Sequence, residues 1–443
     1  MRQRALIRLC LSAVLTTFVL CASALADTYY IAPPPSGNDG NPGTLGSPFA
    51  TLQHAAGVVQ PGDTILVRAG SYQGGHFTTS GTSGQPITLM AYPGEEVSIN
   101  ADNPTTPDGI NLEGASYMIV DGFRVDGRTR AGVRAVLCEH VTIRNVRADA
   151  NGVWGIFTGF CDDLLIENNT TTGSIVEHGI YVSNSGDRPV IRGNLIYSNN
   201  ANGIHMNGDI SAGGDGIISD ALVEENIIFD NGVGGGSGIN CDGVQDSIIR
   251  NNLIYNTHAS GISLYRIDAG ASATGNKVYN NTVIVASDGR WALNIQDAST
   301  GNEIRNNIFY SHHSFRGAVS VSADSLPGLV SDSNVVEDRF TTDDGNSTLT
   351  LAQWQSQTGQ DTNTLVSDPD ALFVDPGNDD YHLKEGSPAL EAGETLAEVP
   401  TDLEGTPRPL GTEYDVGSYE GVGVVFLDGF ESGDVSSWSG AVP

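Results

Sequence analysis

Gly179-Ile180-Tyr181-Val182-Ser183 decides the fold, because the chain restates it as Gly203-Ile204-His205-Met206-Asn207, Gly238-Ile239-Asn240-Cys241-Asp242 and Gly261-Ile262-Ser263-Leu264-Tyr265. In each copy the apolar residues fall at every second position. In an extended strand that sends Ile180 and Val182, Ile204 and Met206, Ile239 and Cys241, Ile262 and Leu264 to one side, with the residues between them on the other. Gly155-Ile156 marks an earlier copy.

A second motif interleaves with the first. One aliphatic position recurs at Ile143, Ile166, Ile191, Val223, Ile249, Val278 and Ile304, roughly 23 to 32 residues apart, which is the spacing of solenoid coils. Three places after most of these comes an asparagine: Asn169, Asn194, Asn226, Asn252, Asn281 and Asn307. Asparagine tolerates the left-handed backbone region and its amide can bond to the coils above and below, so the column predicts a turn ladder. An all-α fold is excluded, since apolar residues do not recur at three and four and glycine is abundant within each segment. The expectation is all-β, a parallel β-helix.

Composition agrees. A solenoid escapes the usual size limit of a single domain because each repeat packs only on its neighbours, so 443 residues suit one long domain and a monomer. Gly 55 with 7% aromatic residues fits short strands joined by many turns. The formal charge of -32 repels nucleic acid and anionic lipid, and makes an anionic polysaccharide an awkward ligand unless a cation bridges the two. The basic start, the apolar run from Leu9 to Leu25 and the small-residue site Ala24-Leu25-Ala26 read as a secretory signal peptide over 1–26, hence a secreted protein at or beyond the cell surface. No other apolar run is long enough to span a bilayer. Cys138 and Cys161 share the offset of Ile143 and Ile166, which puts them at equivalent positions on neighbouring coils where an exported chain could oxidise them, although stacked free cysteines also fill such columns. Cys241 falls on the inward phase.

Around the repeats, residues 27–107 read as an amino-terminal cap and first coils, with Ser47-Pro48 opening a short helix that carries Phe49, Leu52, Ala56 and Val59 on one face. Repeats are expected over 108–325, a carboxy-terminal capping segment forming a lid on the far end over 326–421, and a linker and tail over 422–443. The amino-terminal runs Tyr29-Tyr30-Ile31-Ala32, Ser47-Pro48-Phe49-Ala50-Thr51-Leu52 and Pro61-Gly62-Asp63-Thr64-Ile65-Leu66-Val67 resemble the start of the secreted right-handed β-helix proteins of the pectate-lyase-like superfamily. With the coils that follow, the resemblance covers Tyr29 to about Ser322. It implies a right-handed parallel β-helix with an amino-terminal helical cap, and a polysaccharide partner. It does not choose a reaction, because the superfamily holds polysaccharide lyases, uronate epimerases, glycoside hydrolases and non-catalytic binders.

Outward positions of the glycine-isoleucine strand form two columns a glycan chain could lie along. One runs Asn111, Arg134, Phe157, Tyr181, His205, Asn240 and Ser263; its neighbour runs Glu113, Val136, Gly159, Ser183, Asn207, Asp242 and Tyr265. Flanking turns add Glu177, His178, Asp209 and Arg266. Breaking a uronate polymer by β-elimination needs a group to neutralise the carboxylate, a base for the adjacent proton and an acid for the leaving oxygen. Tyr181 and His205, one coil apart, are the candidates for proton work, with His178 beside them. Arg134 or Arg266 would hold the carboxylate, and Asn111, Phe157, Asn207, Asn240 and Tyr265 would line the substrate. Asp209, Asp215 and Asp242 supply oxygen donors of the kind calcium prefers. Lysine occurs only at Lys277 and Lys384, which matches the lysine-base lyases poorly, and the Asp-Pro-His motif of alginate epimerases is absent. A polysaccharide lyase is the leading expectation; a non-catalytic glycan-binding surface or matrix protein and a two-carboxylate glycoside hydrolase are the alternatives.

Overall fold

The computed structural model describes residues 26–421. The expected signal peptide and carboxy-terminal tail lie outside the described residues. Each coil is three short strands, illustrated by Thr142–Arg144, Arg147–Asp149 and Trp154–Gly159. Left-handed residues turn the chain between them, Asn145 after the first strand and Ala150 after the second. Strands of the coils pair in parallel with their equivalents one coil on, as in Ile143 with Ile166, Ala148 with Thr171 and Phe157 with Tyr181. The coils stack into three parallel sheets of 12, 12 and 11 strands in a right-handed β-helix. Sheet 1 holds Thr142–Arg144, sheet 2 holds Arg147–Asp149, and sheet 3 holds Trp154–Gly159.

The interior is the alternation seen in the sequence. Ile180, Ile204, Met206, Ile239, Cys241, Ile262 and Leu264 are fully buried, and so are Ile143, Ile166, Ile191, Val223, Ile249 and Val278. Each buried aliphatic side chain contributes about 1.5–3 kcal/mol, set against the next coil rather than a distant element.

The asparagine ladder runs along the turn between sheets 1 and 2. Asn226 donates its backbone N–H and its Nδ2 to Asn252 Oδ1, at 3.1 and 2.9 Å, and Asn252 repeats both bonds to Asn281 at 3.0 and 2.9 Å. The chain of bonds continues from Asn169 to Asn334. The left-handed conformation, however, belongs to the residue before each ladder position, Asn168, Glu225, Asn251, Asn280 and Asn306. Turning the backbone and bridging the coils are therefore separate tasks held by adjacent residues.

Both ends are closed. At the amino end the helix is Leu52–Ala56, starting later than Ser47-Pro48 because Thr51 is its N-cap, with Oγ1 accepting the His54 N–H at 3.1 Å; Phe49 stays extended and bridges to Ile31. At the far end the helix Leu351–Thr358 seats the fully buried Trp354 against Phe340, ring centroids 5.2 Å apart, while its Nε1 donates to Asp361 at 2.8 Å.

The carboxy-terminal region departs from the expected lid over 326–421. Coils continue past 325 through Val330–Asp332, Val335–Val336, Phe340–Thr341 and Leu365–Val366. Strands of two or three residues carry too little alternation to be read without the glycine signature. From Pro369 the chain turns back along the outside of sheet 2, where Leu372, Phe373, Tyr381, Val416 and Tyr419 pack on Leu253, Tyr255, Ile284 and Ile308. Those residues of sheet 2 would otherwise form an exposed apolar patch. Arg408, buried within this flank, donates to Glu420 at 2.6 Å.

Cys138 and Cys161 form a disulfide between adjacent coils, Cα atoms 4.7 Å apart, and Cys241 is a buried free thiol. Among the described residues no helix is long and apolar enough to cross a membrane.

Candidate functional site on sheet 3

Sheet 3 aligns the outward residues in register: His76, Asn111, Arg134, Phe157, Tyr181, His205, Asn240, Ser263, Asn294 and Ser320 are successive partners. Alongside run Glu113, Val136, Gly159, Ser183, Asn207, Asp242 and Tyr265. A third outward position, the residue before the glycine of each copy, brings in Trp154, His178, Asn202 and Ser237.

At the middle of this face the aromatic and imidazole rings converge. Tyr181 and His205 stack, centroids 4.9 Å apart and planes 8° from parallel. His178 meets both edge-on at 5.0 and 4.7 Å. Phe157 lies 5.4 Å from Tyr181 and 4.5 Å from Trp154, extending the surface over three coils. Trp154 Nε1 donates to Glu177 at 2.7 Å, and Glu177 in turn approaches His178 Nε2 to 3.5 Å.

Hydrogen bonding assigns the tautomers of both histidines. His178 Nδ1 accepts the backbone N–H of Asn202 at 3.3 Å, so its proton sits on Nε2. His178 Nε2 lies 3.0 Å from His205 Nδ1, which must then accept, leaving the His205 proton on Nε2. Burial pushes the His178 pKa down to about 2, with the nearby His205 adding to the shift, and burial pushes His205 down to about 3. Both are neutral near pH 7. His205 is only partly buried as a residue, but its Nε2 is enclosed and unpaired, as is Oδ1 of Asn240 on the next coil. An enclosed polar atom without a partner costs about 1–3 kcal/mol, and a ligand that supplied the missing partner would recover that cost.

Tyr181 Oη accepts from Asn207 Nδ2 at 3.2 Å. Burial raises its pKa, outweighing the hydrogen bonds from Ser183 and Asn207, and the charges of Glu177 and Asp209 push the same way. The phenol is therefore protonated at neutral pH and presents a proton rather than a negative charge.

Beyond Asn240 the face deepens. A cavity of about 300 Å³ lies over Asn240, Ser263, Tyr265, Asn294 and Gln296, and adjoins one of about 440 Å³ over Asn294, Ser320, Arg290 and Arg316.

Several expected roles change in the folded chain. His205 cannot serve as a base in this tautomer, because Nδ1 already accepts from His178 and Nε2 carries the proton. Arg134 Nη1 bonds Asn111 and Glu113, each at 3.1 Å, two strand spacings from Tyr181, so Arg134 and Asn111 form their own polar group. Arg266 is exposed on the flanking turn rather than within the ring cluster. Asp242 accepts three backbone N–H bonds, from Ile267, Asp268 and Ala269, at 2.8–3.3 Å, while Asp209 takes the Ser211 N–H and Asp215 the Ile217 N–H. These three carboxylates pin loops and do not fit a calcium cradle, and among the described residues no cluster of three or more His, Cys, Asp or Glu side chains forms a cation site. The sequence reading missed Trp154 and Asn202 because it counted outward positions only after the glycine; the position before it carried the signal.

Three sheets wound in right-handed coils, one with a polar and aromatic outer face, make this a right-handed parallel β-helix protein. Residues 29–174 match the family described as Pel9A-like, right handed beta helix region, and residues 154–336 match the family described as Right handed beta helix region, so the chain is similar to right-handed β-helix families of the pectate-lyase kind over these stretches. It is 24% identical over 448 residues to the uncharacterized protein YwoF of Bacillus subtilis (strain 168), covering 81% of this chain and 92% of that one. A stretch of 92 residues is 36% identical to pectate lyase PEL9 of Emericella nidulans, covering 20% of this chain and 22% of that enzyme. The crystal structure of pectate lyase Pel9A superposes with a TM-score of 0.59 at 17% identity, covering 90% of this chain and 97% of that one, which is a likeness of fold.

Proposed function

We propose that sheet 3 binds a polysaccharide along the coil axis and that the ring cluster cleaves a uronate-containing polymer by β-elimination. The observation that carries this reading is the stacked pair Tyr181–His205, flanked by Trp154, Phe157 and His178, with an unpaired His205 Nε2–H beside an unpaired Asn240 carbonyl. Aromatic faces suit the apolar faces of sugar rings, and a donor next to an acceptor matches groups that sugars present. The local likeness to a pectate lyase supports the same substrate class.

In this reading the His205 N–H donates to the uronate carboxylate, while the Asn240 carbonyl, whose amide nitrogen is already bonded to Asn202 Oδ1, accepts from a sugar hydroxyl. Glu177, near enough for its charge to raise the Tyr181 phenol, removes the proton beside that carboxylate. The electron pair of that bond becomes the new carbon–carbon double bond as the glycosidic carbon–oxygen bond breaks, and Tyr181 gives its proton to the leaving oxygen. Proton transfer returns Glu177 and Tyr181 to their starting states through solvent. Export to an oxidising compartment fits the Cys138–Cys161 bridge. The test is ultraviolet absorbance from unsaturated ends over a panel of uronate polysaccharides, with calcium and with chelator; absorbance that stays flat on every polymer removes the lyase reading.

A second reading, a non-catalytic glycan-binding protein, is favoured by one observation: both imidazoles are held neutral and His205 shows a donor instead of a lone pair. Retarded migration in glycan gels with no new absorbance selects it.

A further inference from the structure

The arginines of this acidic chain are not distributed evenly with respect to carboxylates. Among the described residues, Arg68, Arg124, Arg128, Arg130, Arg134 and every other arginine except three lie within ion-pair distance of an Asp or Glu. Of the three exceptions, Arg290 and Arg316 lie on the turns leading into the sheet 3 strands Leu293–Ile295 and Val319–Val321, and Arg266 follows the strand Ser260–Tyr265 on the opposite edge. Arg290 and Arg316 line the 440 Å³ cavity together. Arg316 reaches only a carbonyl, Gly289 O at 3.4 Å, and Arg290 is exposed. Asp297 and Asp344 also line the cavity without coming within ion-pair distance of either arginine, and Asp297 accepts the backbone N–H of Arg266 at 3.3 Å.

Leaving guanidinium groups unpaired is unusual where acidic residues outnumber basic ones by 53 to 21. Two of them over one cavity, not ion-paired to the Asp297 and Asp344 that share its lining, leave guanidinium donors free in a field that elsewhere repels anions. Below them the sheet offers Asn294, Gln296 and Ser320, neutral groups suited to hydroxyls. Asn294 stands three strand spacings beyond His205 in the same column, about 14 Å along the coil axis.

We propose that Arg290 and Arg316 form a carboxylate-binding subsite that fixes a distal uronate of the same chain whose nearer sugars lie on the Tyr181–His205 cluster. The inference rests on the glycan reading of sheet 3 and adds where the polymer's charge is read. It explains how a strongly acidic protein holds a polyanion without a bridging cation: the anionic groups meet the face at arginines that no carboxylate pairs.

The experiment compares the full chain with Arg290→Gln/Arg316→Gln and, separately, Tyr181→Phe/His205→Ala, by affinity electrophoresis on polygalacturonate and alginate and on the same polymers after carboxyl reduction. The arginine variant is expected to lose about tenfold or more in affinity for the charged polymers while matching the native chain on the reduced ones. Equal loss on charged and reduced polymers, or no loss, overturns the subsite. If the arginine variant is unaffected but the Tyr181/His205 variant is impaired, the glycan reading stands and the subsite falls; if the native chain migrates freely through every gel, both fall. Unchanged circular dichroism and thermal midpoint check that these substitutions leave the coils intact.

Discussion

His178 Nε2 and His205 Nδ1 lie 3.0 Å apart, and the backbone N–H of Asn202 at His178 Nδ1 sets the direction of the bond between them. The two rings come from consecutive coils, so the parallel stacking of the solenoid creates the pair. Its consequence is that His205 offers a hydrogen-bond donor to the face, and an enclosed one without a partner.

If that face performs elimination, Tyr181→Phe removes the proton for the leaving oxygen and His205→Ala removes the donor to the carboxylate. Each is expected to lower turnover by about 100-fold or more, measured by the ultraviolet signal of unsaturated ends, with far-ultraviolet circular dichroism unchanged. Full activity in both variants would move the chemistry elsewhere.

The neutral histidine pair predicts a pH signature. His178 and His205 have folded pKa values near 2 and 3, below the ordinary 6.5, so the unfolded chain binds more protons between those limits and stability falls as pH drops from about 6.5 towards 3. Glu337, pushed up to about 7 by burial, has the opposite sign: its stabilisation is lost as pH rises from about 4.5 through 7. Because these slopes oppose one another, the decisive measurement is local. The imidazole carbon-bound proton resonances of His178 and His205 should hold their neutral positions from about pH 7 to 5, and titration of either near its ordinary value would contradict the enclosed pair.

The disulfide closes a 23-residue separation between coils already in contact. Cys138→Ser/Cys161→Ser is expected to lower the unfolding free energy by about 3 kcal/mol, mostly through the unfolded chain, without altering the register of sheet 3. Denaturant titration with and without reductant measures the loss; an unchanged midpoint would show that the bridge adds nothing to the coils.

Asn252 lies inside the ladder, accepting from Asn226 and donating to Val223 O at 2.9 Å and Asn281 Oδ1 at 2.9 Å. Asn252→Ala leaves both neighbours with enclosed unpaired groups and is expected to cost about 2–4 kcal/mol. The exposed strand residue Asn100, outside the ladder and not in the left-handed region, serves as the control: Asn100→Ala is expected to change stability by less than about 0.5 kcal/mol. Similar losses at the two positions would deny the ladder its special role.

The amino-acid sequence by itself determined the coil. Alternation at Ile180 and Val182, repeated at Ile204 and Met206, Ile239 and Cys241, has one solution that buries every apolar residue, and a one-residue slip would turn each of them outward. The register of Tyr181 with His205 and of Asn207 with Asp242 followed from the same periodicity. The direction of hydrogen bonds did not, because it depends on which ring nitrogen a neighbouring coil reaches, a matter of angstroms that spacing does not encode. Nor did the fate of polar side chains: Asp242 could equally have faced a cation, and only the loop at Ile267–Ala269 closing over it decided otherwise. The carboxy-terminal flank depended on tertiary structure for a similar reason, since Tyr255 and Ile284 look like ordinary outward residues until the segment after Pro369 returns to cover them. Arg290 and Arg316 complete the contrast. Their positions are plain in the sequence, but being left without a carboxylate is a property of the folded surface alone.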